Sequence, residues 1–543
     1  MRKLHRLQFL IVVALLLGIF FRCVNLDRKV YWQDETYTSL RISGYRQTDV
    51  FKKVCNGSLT SVENIQKFQR YNPNKSLIDT LNSLSFDTPH HPPLYFVAAR
   101  FWAQWFGDTV AVRRSLSVVI SLFVFPCMYW LCLELLNFPL AGWIAMALIA
   151  VSPLHVLYAQ EARPYTLWMV VILLSSAALL RALRKQTKMS WGIYGITIAL
   201  GLYSSLFFVL TAVGQGIYVA LTERFRLTKR VTSYLLASLT GIIIFTPWLL
   251  VLINNASKTI TRTESIREGR SYNLLFLIKT WLDNLSRIFI DFWYGKSYLD
   301  YFPLPDLKYS LYITPILLFL VIYLIYLSGQ ICLEKILFIL IMIGLLGSVL
   351  ILSDLIKGGI VSTITRYPIA SYLGIQLAVA HVIASKVYPL SSKKLQQKIW
   401  SILTIILISL GILSCAFSAQ AEGWWNKYIN NENYKLAEVI NKADKPLVIS
   451  QYCFGAISLS YKLDEEVKFI LGYPQKMTNQ IKLKEIDKIF FYKTSKNLES
   501  EVEKLFKSEA NGTTSKPLVL QGLGAKYLVL NGKKNIHKST KLE

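Results

Sequence analysis

Acidic residues are scarce in this chain of 543. Only 33 Asp and Glu stand against 60 Lys and Arg, and charged residues of both signs make up 17%. With 53% hydrophobic residues and a mean hydropathy of +0.38, that scarcity excludes an ordinary soluble globular protein. The seven cysteines include no Cys-x-x-Cys pair, and most sit in apolar segments, where a small buried residue is the expected role. Neither a disulfide framework nor a zinc site is expected from them. The loops hold no Asp-x-Asp pair, which argues against a bound divalent metal, and no cofactor is expected. The net charge of +27 is not gathered into one patch. Its lysines and arginines punctuate apolar segments, a topology signal rather than a nucleic-acid surface. No small-residue cleavage pattern separates the basic start (Arg2, Lys3, Arg6) from Asp34, so the first apolar segment reads as an uncleaved signal anchor.

What the chain has in quantity is apolar runs of roughly 18–22 residues, long enough to cross a hydrocarbon core of about 30 Å. Candidate spans fall at 7–26, 114–136, 140–158, 165–183, 191–207, 208–222, 233–252, 309–328, 334–352, 367–385 and 400–417. The expected fold class is a polytopic α-helical membrane protein of about eleven transmembrane helices with a small C-terminal α/β domain. Four short basic segments mark the cytoplasmic side: the N-terminus, Arg181 to Lys185, Arg224 to Arg230, and Lys393 to Lys398. With the N-terminus inside, eleven spans put all four on one face. Counting Pro93 to Gly107 as a further span would reverse every later loop. That segment carries Arg100 and Gln104 among six aromatic side chains and reads as an amphipathic interfacial helix. Tyr272 to Tyr301 reads similarly.

Outside then lie the long loop 27–113, the loop at Gln160 to Arg163, and the loops 253–308 and 353–366. The domain division is 1–419 for the membrane part and 420–543 for an extracytoplasmic domain. There, apolar runs at Pro446–Ser450, Val467–Leu471, Lys488–Tyr492 and Lys526–Leu530 alternate with a helical pattern at Leu498–Phe506. The location this implies is the plasma membrane.

Four clusters on the outer side can carry chemistry. Asp34 and Glu35 follow the first span within Tyr31-Trp32-Gln33-Asp34-Glu35-Thr36-Tyr37. Ionisable groups at a bilayer edge are costly unless they work or are paired. A positioned carboxylate there can take a proton from a hydroxyl nucleophile. His90-His91-Pro92-Pro93-Leu94 opens the interfacial helix, and proline there is also a plain helix-start signal. Gln160-Glu161-Ala162-Arg163-Pro164-Tyr165 and Thr365-Arg366-Tyr367-Pro368 each set an arginine at a helix mouth. Taken singly, the first is a surface ion pair and the second a snorkelling side chain. Taken together, they suit a phosphate headgroup gripped by guanidinium while a carboxylate activates a hydroxyl.

These residues, in this order and on one side, resemble the GT-C-fold glycosyltransferases that use polyprenyl-phosphate sugars, the family related to protein O-mannosyltransferases and the aminoarabinose transferase of lipid A. The likeness covers roughly residues 7–420. It implies a sugar transferred from a polyprenyl-phosphate donor to the hydroxyl of a lipid, protein or glycan acceptor, with inversion. Asp34 would be the general base and Glu35 would orient acceptor or loop. His91, Glu161, Arg163, Arg366 and Tyr367 would line the substrate pocket, the two arginines on the donor phosphate. The sequence departs from many relatives at Tyr203-Ser204-Ser205, where a histidine is common. Two other classes are compatible with the composition: a transporter or flippase of lipid-linked saccharides, and a scaffold with a sensory outer domain.

Overall fold

A Ser-Pro step breaks one of the apolar helices. Proline lacks an amide N–H and pushes the residue before it out of the helical region. Helix Pro139–Ala150 accordingly stops, and helix Pro153–Ala159 leaves at 64° to it. The carbonyls freed at the break need partners, because hydrocarbon supplies none. Arg22, from the first helix Arg2–Cys23, donates to Ala150 O at 2.7 Å and Ile149 O at 3.0 Å. Ser152 Oγ donates to Ile288 O at 2.6 Å, and the Leu154 N–H donates to Arg287 O. Gly18 allows the first helix to come this close, since a Cβ there would lie 2.4 Å from Ala150 O.

The computed structural model describes residues 2–257, 273–292, 333–387, 394–472, 486, 488–509, 518–520 and 525–529. The chain divides into two compact units. The first comprises residues 1–26, 76–293 and 304–421, and is helical throughout its described part. Among the described residues, six helices are long and apolar enough to cross a membrane, or seven with the bent pair taken as one span. That is fewer than eleven. Leu7–Cys23 and Phe208–Thr222 are shorter apolar helices, and Lys188–Ser204 has 17 residues, below the ~20 that a perpendicular crossing needs. The expected span 309–328 lies outside the described residues. Leu235, Leu236 and Ile243 on helix Lys229–Asn254 are more than half exposed, as a lipid-facing surface requires. The segment read as interfacial is helix Leu94–Phe106, with Tyr95, Phe96 and Arg100 buried and Trp105 and Phe106 exposed.

The second unit comprises residues 27–75, 294–303 and 422–543, so it draws on the first long loop as well as on the chain's end. Its six-stranded sheet consists of β1 (Leu59–Ser61), β2 (Pro446–Ser450), β3 (Lys468–Leu471), β4 (Lys488–Tyr492), β5 (Leu518–Leu520) and β6 (Ala525–Val529), in the order β1-β3-β2-β4-β6-β5. Strands β3, β2 and β4 are parallel, and the outer pairings are antiparallel. Alternation along the strands sends Val448, Phe469, Leu471, Phe490 and Tyr492 to one face, where helix Cys453–Ser460 packs. Leu447, Ile449, Ile470, Ile489 and Phe491 go to the other, against Leu498 and Val502 of helix Lys496–Glu509.

Cys55 and Cys453 form a disulfide within this unit, with their Cα atoms 6.1 Å apart. This corrects the expectation that the cysteines encode no disulfide. Spacing rules read pairs that are near in sequence, and these two lie 398 residues apart. Each is buried in the core that the first-loop helices share with helix Cys453–Ser460.

Candidate active site

In the first unit, three of the four motifs are tied together. Pro93 and Leu94 start the helix that carries Tyr95, whose hydroxyl meets Ser117 Oγ at 2.8 Å. Ser117 Oγ donates in turn to the Arg163 carbonyl at 3.3 Å. The His91 motif and the Arg163 motif are thus joined by two hydroxyls. The loop before the motif is fixed as well, since Trp248 Nε1 donates to Pro89 O at 3.1 Å. His91 itself is partly exposed, its ring 4.4 Å from that of His90 and 6.0 Å from Phe96.

Gln160, the residue before Glu161, clamps the second motif to the end of the first helix. Its Nε2 donates to Phe21 O at 2.8 Å and Val24 O at 2.9 Å. Glu161 is fully buried and Arg163 nearly so. The Arg163 guanidinium lies 5.7 Å from the centre of the Tyr165 ring, and its Nε reaches Tyr165 Oη at 3.4 Å. A guanidinium held against a ring and a phenol is oriented without being neutralised by them.

The Arg366 loop is anchored from two sides. The Ser362 N–H donates to Asp354 Oδ2 at 2.6 Å, from the end of helix Leu333–Lys357. Helix Leu274–Ser286 supplies Asn284, whose Nδ2 donates to Thr363 O at 2.8 Å and whose Oδ1 accepts from Thr365 Oγ1 at 2.7 Å. Arg366 and Tyr367 are partly exposed, with the guanidinium 5.4 Å from the Tyr367 ring. The Tyr367 ring contacts Phe207 at 4.9 Å, and Phe207 stacks on Trp168 at 5.8 Å. Trp168 lies in the first turn of helix Tyr165–Lys185, which Arg163-Pro164 opens. The two arginine motifs therefore share an aromatic bridge.

Asp34 and Glu35 belong to the second unit. They fall in the first turn of helix Gln33–Ile42, where carboxylates complement the positive end of the helix dipole. Their surroundings differ. Asp34 is partly exposed, whereas Glu35 has no exposed surface. The Glu35 carboxylate accepts from the Trp32 N–H at 3.3 Å and pairs with Lys427 Nζ at 3.4 Å, itself fully buried. Lys427 also lies 5.9 Å from the Trp32 ring centre, and Trp32 contacts Tyr428 at 5.5 Å. Gln33 is held through its N–H to Asn430 Oδ1 at 3.0 Å, its Nε2 to Tyr37 Oη at 3.2 Å, and its Oε1 by the Tyr452 hydroxyl. So Glu35 holds the turn, and Asp34 is the more exposed carboxylate of the pair.

Sequence reasoning did not single out Lys427, Tyr452 or Ser117. Lys427 is one lysine among many in a Lys-rich stretch, and its partner lies 392 residues away. Only Gln33 carried a local signal, by standing next to the acid pair.

Two crystal structures of ArnT from Cupriavidus metallidurans are similar over nearly the whole chain. The apo form has a TM-score of 0.52 and 11% identity, covering 98% of this chain and 99% of that one. The form bound to undecaprenyl phosphate has a TM-score of 0.50 and 10% identity, covering 97% and 98%. The oligosaccharyltransferase of Archaeoglobus fulgidus, tethered to an acceptor peptide, is a weaker likeness, with a TM-score of 0.45, 13% identity and coverage of 77% and 62%. No individually curated protein matches the chain by sequence. The likeness to the two ArnT structures is one of overall fold. By sequence, residues 90–251 match the model of the dolichyl-phosphate-mannose-protein mannosyltransferase family.

Proposed function

We propose that the chain transfers a sugar from a polyprenyl-phosphate donor to an acceptor hydroxyl at the outer face of the plasma membrane, with inversion. The observation that carries this reading is the convergence of the His91, Arg163 and Arg366-Tyr367 motifs through the Tyr95–Ser117–Arg163 link and the Trp168–Phe207–Tyr367 rings. Two guanidinium groups on linked motifs suit a phosphate diester, and the solved likeness bound to undecaprenyl phosphate supports that donor class.

In this mechanism the Asp34 carboxylate takes the acceptor's hydroxyl proton. The freed oxygen attacks the anomeric carbon from the face opposite the phosphate. The bond between that carbon and the phosphate oxygen breaks, and the electron pair leaves on the polyprenyl phosphate. Arg163 and Arg366 stabilise the charge that develops there. The phosphate is already a competent leaving group, so the general acid that glycoside hydrolysis needs is dispensable. Glu35, paired with Lys427, positions the turn that bears Asp34, and His91, Glu161 and Tyr367 shape the pocket.

The Cys55–Cys453 disulfide supports placing the second unit outside, because such bonds persist in oxidising compartments. The N-terminus is then cytoplasmic. The broken span at Val151-Ser152 is a feature that transporters also use. Here its freed carbonyls are taken up by Arg22 and its flanking groups by residues 287–288, so it braces rather than lines a path. The test is a transfer assay with purified protein and a panel of undecaprenyl-phosphate sugars. The transferase reading expects Asp34→Asn to lower turnover by orders of magnitude while donor binding persists; a transporter or scaffold would be indifferent to that change.

A further inference from the structure

The parallel strands β2 and β4 are neighbours, yet the helices that follow them cover opposite faces of the sheet. Strand order therefore reverses between them, and the crevice outside their carboxyl ends is where open α/β sheets take ligands. Gln451 and Tyr452 leave β2 at that point, and Lys493 and Thr494 leave β4. The two loops are tied by the Ser495 N–H, which donates to Gln451 Oε1 at 2.6 Å.

Lys493 is unusual there in two ways. Its backbone sits at a φ of 51°, a region that L residues seldom enter and that concentrates at functional sites. Its ammonium lies between the Tyr452 and Tyr492 rings, at 5.2 and 5.3 Å from their centres, and donates to Ile429 O at 3.0 Å. Among the described residues it makes no ion pair. A partly buried ammonium facing two rings and a carbonyl retains the charge and two donors for something else. The same crevice adjoins the acid helix, because the Tyr452 hydroxyl donates to Gln33 Oε1 and Gln33 precedes Asp34. Gly455 is what lets the Tyr452 ring fold back, since a Cβ at that position would lie 2.1 Å from it.

We propose that the crevice at the ends of β2 and β4 is the acceptor subsite, and that Lys493 binds a negatively charged group, phosphate or carboxylate, carried by the acceptor near its reacting hydroxyl. The inference deepens the function proposed above and rests on its reading of Asp34. Burial, which pushes the Lys493 ammonium down to about 8, is relieved when an anion arrives. Tyr452 then links recognition to the turn that holds the base, and its ring offers a sugar a face to stack on.

The test is binding, measured by ligand-observed NMR on full-length protein in lipid nanodiscs. The probes are methyl glucoside, its 6-phosphate and the corresponding methyl glucuronide. The charged sugars should bind about tenfold or more tighter than the neutral one, the size of a charge-assisted hydrogen bond. Lys493→Gln should abolish that preference, Lys493→Arg should keep it, and the better of the two charged probes identifies the group recognised. No preference in the wild type, or a preference unchanged in Lys493→Gln, overturns the proposal. The wild-type comparison needs no variant to fold. Asp34→Asn separates the two readings: if it still transfers sugar while the charged preference persists, the base assignment fails and the anion subsite stands. If it loses transfer and the wild type shows no preference, the subsite fails and the base stands.

Discussion

The arginine motifs of the first unit and the acid turn of the second are held by different means. The contacts around the Arg163 and Arg366 motifs include a phenol, two hydroxyls, an asparagine and a row of aromatic rings. The acid turn is held by a fully buried ion pair, Glu35 with Lys427. Of the two adjacent carboxylates, Glu35 is the one spent on structure, and Asp34 is the more exposed. Neutral supports fail gradually, whereas a buried ion pair fails steeply when one partner is removed.

That contrast can be broken at several points. Asp34→Asn should lower turnover by about 10²–10⁴-fold, the range for a lost general base, with donor affinity unchanged in an equilibrium binding assay. Lys427→Met leaves Glu35 buried without its cation and should destabilise the second unit by about 3–5 kcal/mol, read as a loss of denaturant midpoint. The double variant Glu35→Gln, Lys427→Met should recover part of that loss. Removing the Cys55–Cys453 bond by Cys55→Ser should cost about 2–4 kcal/mol in the same assay. Arg366→Lys keeps the charge but loses the planar fork, and should lower kcat/KM for the donor by about 10-fold, with both kcat and KM affected. Ser117→Ala cuts the hydroxyl link behind Arg163 and should cost only about 1 kcal/mol, seen as a several-fold loss in kcat/KM.

A pH series sharpens the acceptor side. Tyr452, Tyr492 and the Ile429 carbonyl face Lys493, and burial pushes the Tyr492 phenol up, so it stays neutral through the range used. Lys493 is charged below about 8 and neutral above it, so affinity for an acidic sugar should fall as pH rises through that value. The neutral sugar should show no such step.

The sequence made the short motifs legible because each is local. An arginine or histidine beside a proline marks a helix mouth, and an acid pair after an apolar run marks a span's edge. The helix at Leu94–Phe106 and the strands β2, β3 and β4 were visible for the same reason, as apolar patterns of the right period. What stayed hidden is long-range. Lys427 and Cys453 find partners 392 and 398 residues away, and nothing in the intervening composition records those pairings. The edge strand Leu59–Ser61 has three residues, too few to show an alternation. Apolar composition does not say where a helix of 15 or 17 residues ends, so the expected span count goes beyond the six or seven long apolar helices among the described residues.

The central claim is that one carboxylate does the chemistry while two guanidinium groups hold the donor. Single-turnover transfer from an undecaprenyl-phosphate sugar, measured beside donor binding in wild type, Asp34→Asn and Arg366→Ala, tests it most directly. The account expects Asp34→Asn to bind donor normally and transfer about 10²–10⁴-fold more slowly, and Arg366→Ala to bind donor weakly. Wild-type transfer by Asp34→Asn, or unimpaired donor binding by Arg366→Ala, would contradict it.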